Sequence, residues 1–189
     1  MTPKDIFLYT SMLVWALIPF KQHRTSYFNY FLLNALSDPI TRVLYLGFHL
    51  WPLSFYPTFL LLKNFSLTDR FKLPLILTTS MVVLSTSLFL GDNMFWLYLL
   101  CLIFSLLIFF TLVNKLIEHI NQTRSFSLFL ILLILYQLIT SLTYAAILLD
   151  LYKGVISFYL AGFSQIFLGI CFLFVNINTK NFPIKVEKF

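Results

Sequence analysis

The chain has 189 residues, of which 60% are hydrophobic and only 11% charged, and it carries a net charge of +6. Soluble domains usually hold about 25% charged residues, so this composition excludes a soluble domain and predicts an integral membrane protein. Its apolar runs lack the alternation of a transmembrane barrel, which favours an all-α helical bundle. We expect a single transmembrane domain over residues 1–189, and we do not expect nucleic-acid binding, because basic loops beside a membrane meet anionic headgroups.

Seven apolar stretches predict seven transmembrane helices. They cover approximately residues 6–20, 27–47, 50–63, 73–90, 94–114, 127–149 and 155–176. No small-residue cleavage site follows the first stretch, so we expect it to remain as a helix rather than to be removed as a signal peptide.

The second stretch carries polar residues on one face. At 100° per residue they fall within an arc of about 80°; they are Asn34, Asp38, Arg42, Tyr45 and His49. A charge within the bilayer costs about 2.5 to 3.5 kcal/mol on insertion scales, so this face must meet protein or water. Two interpretations remain open: an intrahelical ion pair between Asp38 and Arg42, or a polar cavity for a ligand, an ion or a proton.

The third stretch, residues 50–63, is short for a bilayer, which needs about 20 residues. Pro39, Pro52 and Pro57 each remove a backbone donor, so residues 28–62 are not expected to form one straight helix. The prolines favour a kinked pair of helices. Merging the pair gives the alternative of six helices.

The last two helices carry stripes of small and polar residues. These are Gln137, Ser141 and Tyr144 in the sixth, and Ser157, Ala161, Gln165 and Gly169 in the seventh. Such stripes usually form the packing seam between membrane helices. The functional interpretation is that Gln137, Tyr144 and Gln165 close a cavity around Asp38 and Arg42, open toward the outer side where His49 lies.

Basic residues predict the orientation of the bundle. With seven helices and the N-terminus outside, ten lysines and arginines lie on one side and two on the other, Lys63 being counted among the ten. The positive-inside rule assigns the ten, and with them the C-terminus, to the cytoplasm. Six helices would give a split of nine to three.

Motifs for chemistry are not found in the sequence. Cys101 and Cys171 stand alone in separate apolar runs, without the spacing of a metal site. The chain has no HExxH, no GxSxG and no glycine-rich phosphate loop. We therefore expect no metal, no cofactor and no catalytic residue, and we favour a protein that is not an enzyme.

The basic turn and second helix, FKQHRTSYFNYFLLNALSDPITRVLY, are followed closely by LWPLSFYPTFLLL. In this layout the chain resembles small seven-helix membrane proteins of Bacteroidetes-like bacteria, which are similar to the seven-helix input regions of membrane histidine kinases. The resemblance implies a sensor-like bundle that passes its signal to a separate protein.

These observations lead to a hypothesis about function. We expect a receptor-like protein or accessory subunit that binds a small or lipidic ligand, or a partner subunit, near Asp38. The alternatives are a small transporter or ion-conducting protein, and a structural subunit of a larger complex such as a respiratory one. The bacterial inner membrane is the expected location, with an organellar inner membrane as the alternative.

Overall fold

The computed structural model describes residues 3–68, 73–91, 93–151, 155–175, 177 and 182–183. Within them the fold is all-α, and seven α-helices follow one another: α1 (Pro3–Gln22), α2 (Phe28–Phe48), α3 (Tyr56–Ser66), α4 (Leu73–Leu90), α5 (Met94–Thr123), α6 (Leu128–Leu148) and α7 (Val155–Phe174). A 3-10 helix, Pro52–Phe55, leads into α3. Two short strands, β1 (Ser125–Phe126) and β2 (Phe182–Pro183), pair in antiparallel fashion.

Among the described residues, three helices are long and apolar enough to cross a bilayer: α4, α5 and α6. Ile6–Gln22 and Gly162–Phe174 are shorter apolar helical stretches. Large apolar side chains point outward, with Phe89 of α4 91% exposed and Phe20 of α1 78% exposed. An apolar surface of this kind is typical of a protein embedded in lipid and agrees with the three helices that are long and apolar enough to cross a bilayer.

Residues 28–62 form two helices, as the prolines predicted, but the second helix begins later than expected. The predicted range was 50–63, whereas α3 covers Tyr56–Ser66. His49 ends α2 in the left-handed region at φ 54°, and the backbone is extended at Trp51. Pro52 then starts the 3-10 helix and Pro57 lies in the first turn of α3, where the missing N–H costs little. Pro39 remains inside α2.

Helix α5 is longer than predicted. It was expected to end near residue 114, but it continues to Thr123, and Arg124 terminates it at φ 50°. The sequence from 94 to 123 contains no glycine or proline, so polar residues alone do not end the helix. The other predicted boundaries lie within three residues of the observed ones.

An aromatic cluster joins α1, α2, α6 and α7. Phe31 lies at its centre, with its ring centroid 5.1 Å from that of Phe172, 6.1 Å from that of Phe129 and 6.4 Å from that of Trp15. Aromatic pairs at these separations favour one mutual arrangement of the rings. The cluster therefore fixes the four helices around the polar groups described next.

Candidate functional site

A small cavity lies between five helices, and we call it the inner cavity. Its volume is about 80 Å³, which is enough for a few water molecules. The lining residues come from α1, α2, α3, α6 and α7: Trp15, Asn34, Ser37, Asp38, Tyr56, Leu60, Lys63, Tyr136, Thr140, Tyr144 and Gln165. The wall combines aromatic rings with hydroxyl, amide, carboxylate and ammonium groups.

The ammonium of Lys63 is held inside the bundle. Only 7% of the residue is exposed, and Nζ donates a hydrogen bond to Oδ1 of Asn34. The hydroxyl of Tyr136 donates to the same oxygen at 3.2 Å. Asn34 thereby joins α2 to both α3 and α6. An ammonium has three donors, so Lys63 keeps hydrogen-bonding capacity beyond this contact.

The carboxylate of Asp38 is bound by a neutral partner. Its Oδ1 accepts a hydrogen bond of 2.7 Å from the hydroxyl of Tyr56. Since Asn34 meets Lys63 while Asp38 meets Tyr56, α2 and α3 run in opposite directions. In the described part of the chain no ion pair joins Asp38 to Lys63, although both line the inner cavity.

Within the described residues, the ion pair between Asp38 and Arg42, one of the two interpretations of the sequence, is not formed. The guanidinium of Arg42 lies over the ring of Tyr9 in α1, 4.9 Å from its centroid. A cation at this distance from an aromatic face is attracted by the ring. Asp38 and Arg42 thus have separate partners, Tyr56 of α3 and Tyr9 of α1. The sequence pattern of α2 alone did not predict either contact.

A second cavity of about 330 Å³ adjoins the first, and we call it the vestibule. It is lined by Leu8, Met12, Asp38, Thr41, Arg42, Tyr45, Leu46, Pro52 and Tyr56. Asp38 and Tyr56 border both cavities. Their hydrogen bond therefore lies in the wall between the vestibule and the inner cavity.

The structure does not bring all of the predicted site residues together. Asn34, Asp38, Tyr144 and Gln165 surround the inner cavity, and Arg42 lines the vestibule. His49 is exposed at the end of α2 and lines neither cavity.

Gln137 belongs to a separate buried network. Its amide nitrogen donates to the carbonyl and the hydroxyl of Ser105, at 3.1 and 2.7 Å, and its oxygen accepts from Tyr30 at 3.2 Å. Ser105 in turn bonds Ser141 at 2.7 Å. These contacts pin α5 against α6, so Gln137 and Ser141 have a packing role and do not border the inner cavity.

The small residues of α7 allow it to approach α1. A Cβ atom added at Gly169 would lie 2.7 Å from Cγ1 of Val14, and one at Gly162 would lie 2.6 Å from the ring of Phe7. The side chains of Ser157 and Ala161 lie outside the described residues. The part of the predicted α7 stripe at Gly169 therefore packs against α1. Close packing of α7 on α1 places Gln165 at the inner cavity.

Three residues of the site were not predicted from the sequence: Tyr56, Lys63 and Tyr136. A signal was nevertheless present, because Tyr56 and Lys63 are seven residues apart and so share one face of a helix. Lys63 follows an apolar run and precedes a polar one, which is the position of an ordinary cytoplasmic anchor. Only the fold shows that Lys63 lines the inner cavity and is not such an anchor.

The site therefore holds opposite charges that are separated within one enclosure. The carboxylate of Asp38 and the ammonium of Lys63 can each accept or donate further hydrogen bonds, and tyrosine hydroxyls and the Gln165 amide stand beside them. Such an enclosure can bind water, an ion or a small group with polar atoms of both kinds. In comparisons with family models, curated proteins and solved structures, no match to the chain was found.

Proposed function

We propose that this protein is a non-enzymatic, receptor-like or accessory membrane protein that binds a small polar ligand in the inner cavity. The observation that carries the proposal is that Asp38 and Lys63 border one cavity without pairing with each other. If Asp38 and Lys63 had only a structural role, a direct ion pair between them would stabilise the fold most, because a buried unpaired charge costs several kcal/mol. Charges that are held apart by neutral partners retain their affinity for a third group.

The proposal includes a route and an orientation. The ligand enters through the vestibule, where Arg42 and Tyr45 lie, and the vestibule opens toward the outer side. The chain crosses the bacterial inner membrane seven times, with α2 and α3 as a hairpin, the N-terminus outside and the C-terminus in the cytoplasm. The excess of basic residues in the loops supports this orientation. A signal that follows ligand binding passes to a separate partner protein.

One feature favours a second candidate, a small transporter or ion-conducting protein. The bond between Tyr56 and Asp38 lies between two cavities, and Lys63 lies on the far side of the inner one. If this bond opens while the cytoplasmic side opens too, the cavities form a path across the membrane.

Access of water to the inner cavity tests the proposal. Ser37 lines the cavity and is 4% exposed, so Ser37→Cys places a thiol there with little change of volume. The background is Cys101→Ala with Cys171→Ala, which removes both native thiols. Ag⁺, a small thiol-reactive cation, is added to oriented proteoliposomes, and the thiol left unreacted is measured by alkylation after denaturation. We expect Ag⁺ added outside to protect the cysteine.

The matched control is Ser141→Cys, which is equally buried but belongs to the Ser105 network. Its thiol should remain free to alkylation. Protection of Ser37→Cys from the outer side alone supports the receptor-like function, and protection from both sides supports the transporter. If neither side protects it, the cavity is closed to water and the binding function is wrong.

A further inference from the structure

A third cavity lies between α1 and α2, on a different face of α2 from Asp38, and we call it the groove. Its volume is about 700 Å³. It is lined by Ala16, Pro19, Phe20, His23, Phe28, Leu32, Ala35, Leu36 and Pro39. Every lining side chain except His23, at one end, is apolar. The groove has no residue in common with the inner cavity or the vestibule.

The length of the groove matches one leaflet of a bilayer. Along α2 its lining runs from Phe28 to Pro39, which spans about 16 Å at 1.5 Å per residue. The hydrocarbon core of a bilayer is about 30 Å thick, so one leaflet contributes about 15 Å. The groove is therefore about as long as one acyl chain, and in the proposed topology it runs from the headgroup level to near the middle of the membrane.

The mouth of the groove is basic. Nε2 of His23 accepts a hydrogen bond of 3.1 Å from Nε of Arg24, so the ring proton lies on Nδ1, which donates to the carbonyl of Phe20 at 3.0 Å. This tautomer follows from the two bonds. It holds the guanidinium of Arg24 beside the end of the groove, with its terminal nitrogens available. Lys21 is exposed on the same turn.

We propose that the groove binds one acyl chain of an anionic phospholipid, whose phosphate is bound by Arg24, while Lys21 adds positive charge at the same end of α1. The guanidinium fork matches a phosphate, and the lysine adds a second positive charge. A second copy of the chain is a poorer occupant. A two-fold contact through this groove would bring two sets of Lys21 and Arg24 together, and like charges repel. The lipid site does not depend on the inner cavity having a ligand.

Competition between two lipids tests the site. The full chain in detergent is mixed with equal amounts of phosphatidylglycerol and phosphatidylcholine that have the same acyl chains, and retained lipid is counted by native mass spectrometry. We expect phosphatidylglycerol to be retained preferentially. Arg24→Gln and Lys21→Gln should each lower this preference roughly fivefold, since one basic residue near a headgroup contributes about that factor. Both residues are exposed, so folding should be unaffected.

Filling the groove tests the acyl chain separately. Ala16→Trp places an indole in the groove and should reduce the retention of both lipids. Leu17→Trp, at an exposed position outside the groove, should not. Arg124→Gln, at a basic residue remote in sequence, is the control for charge. Equal retention of the two lipids by the native chain, or no effect of Arg24→Gln and Ala16→Trp, would overturn the proposal. So would a dimer that Ala16→Trp abolishes, since the groove would then be an interface between copies.

Discussion

Burying the ammonium of Lys63 costs several kcal/mol, and its hydrogen bond to Asn34 offsets this cost only in part. The carboxylate of Asp38, on the wall of the same cavity, is the charge of opposite sign that can lower the cost further. Coulombic attraction across a few ångströms of protein or ordered water remains appreciable without direct contact. We therefore expect Asp38 to be coupled energetically to Lys63 more than to Arg42.

A double-mutant cycle measures this coupling. Asp38→Asn and Lys63→Met should each destabilise the protein, and the double variant should lose less than the sum, with a coupling free energy of about 1 kcal/mol or more. The quantity measured is the free energy of unfolding by sodium dodecyl sulfate in mixed micelles.

The matched control is the cycle of Asp38→Asn with Arg42→Gln. Arg42 lies over Tyr9, so the coupling between these two changes should be smaller than the coupling between Asp38 and Lys63. If the Arg42 cycle showed the larger coupling, the assignment of partners would be reversed.

For individual residues, the sequence predicted which face of α2 is polar, but not which residues of other helices contact that face. Period and composition place Asn34 and Asp38 on one face, and both do border the inner cavity. The bonds to Lys63 and Tyr136 join residues separated by 29 and 102 positions in the chain. No local pattern carries that information, because it depends on how α2, α3 and α6 pack together.

Among the helices, α7 packs closely against α1 because its glycines have no side chain. The space at Gly169 is filled by Val14 and Trp15, so a side chain there must displace one of them or separate the helices. Close approach of this kind supplies the dispersion energy that holds membrane helices together. It also positions Gln165, four residues earlier, at the cavity wall.

We expect Gly169→Ala to destabilise the protein by about 1 to 3 kcal/mol, because its Cβ would lie 2.7 Å from Val14. Gly47→Ala is the matched control, since nothing lies within 4 Å of a Cβ at that helical position. Alanine is the better helix former, so this change should be neutral or stabilising by about 0.5 to 1 kcal/mol. Thermal unfolding in detergent measures both. Equal melting temperatures for the two variants would mean that α7 does not pack closely on α1.

The seven helices of the described residues were predictable from the sequence, but not all of their ends were. Pro52 and Pro57 correctly separated α2 from α3. The end of α5, which was predicted from polarity alone, was placed too early, because Asn114 and Lys115 continue the helix. Membrane helices can project beyond the bilayer, so the end of an apolar run is not the end of a helix.

For the molecule as a whole, the burial of Lys63 changes the charge count on which the orientation rests. Removing it from the ten predicted cytoplasmic residues leaves nine, against two outside. The excess of basic residues on the predicted cytoplasmic side therefore remains when Lys63 is not counted.

We expect a reporter that is active only in the cytoplasm to function when it is fused after Phe189 and to be inactive when fused before Met1. The reason is that an odd number of crossings, oriented by the basic loops, places the two ends on opposite sides. Enzymatic activity of the two fusions in intact cells is the measurement, with immunoblotting to confirm equal amounts. Activity at both ends would indicate six crossings and contradict the proposed orientation.

The cross-links between α2 and α3 also constrain how the chain is synthesised. Helix α3 has 11 residues and a length of about 16 Å, so in the proposed topology it needs the 3-10 helix Pro52–Phe55 ahead of it to approach the core thickness of about 30 Å. While α2 is alone in the bilayer, Asp38 and Asn34 lack Tyr56 and Lys63, and an unshielded charge costs about 2.5 to 3.5 kcal/mol there. Insertion one helix at a time is therefore unfavourable for both segments. If α2 and α3 cross the membrane as proposed, they therefore enter it together as a hairpin in which Tyr56 and Lys63 already meet Asp38 and Asn34.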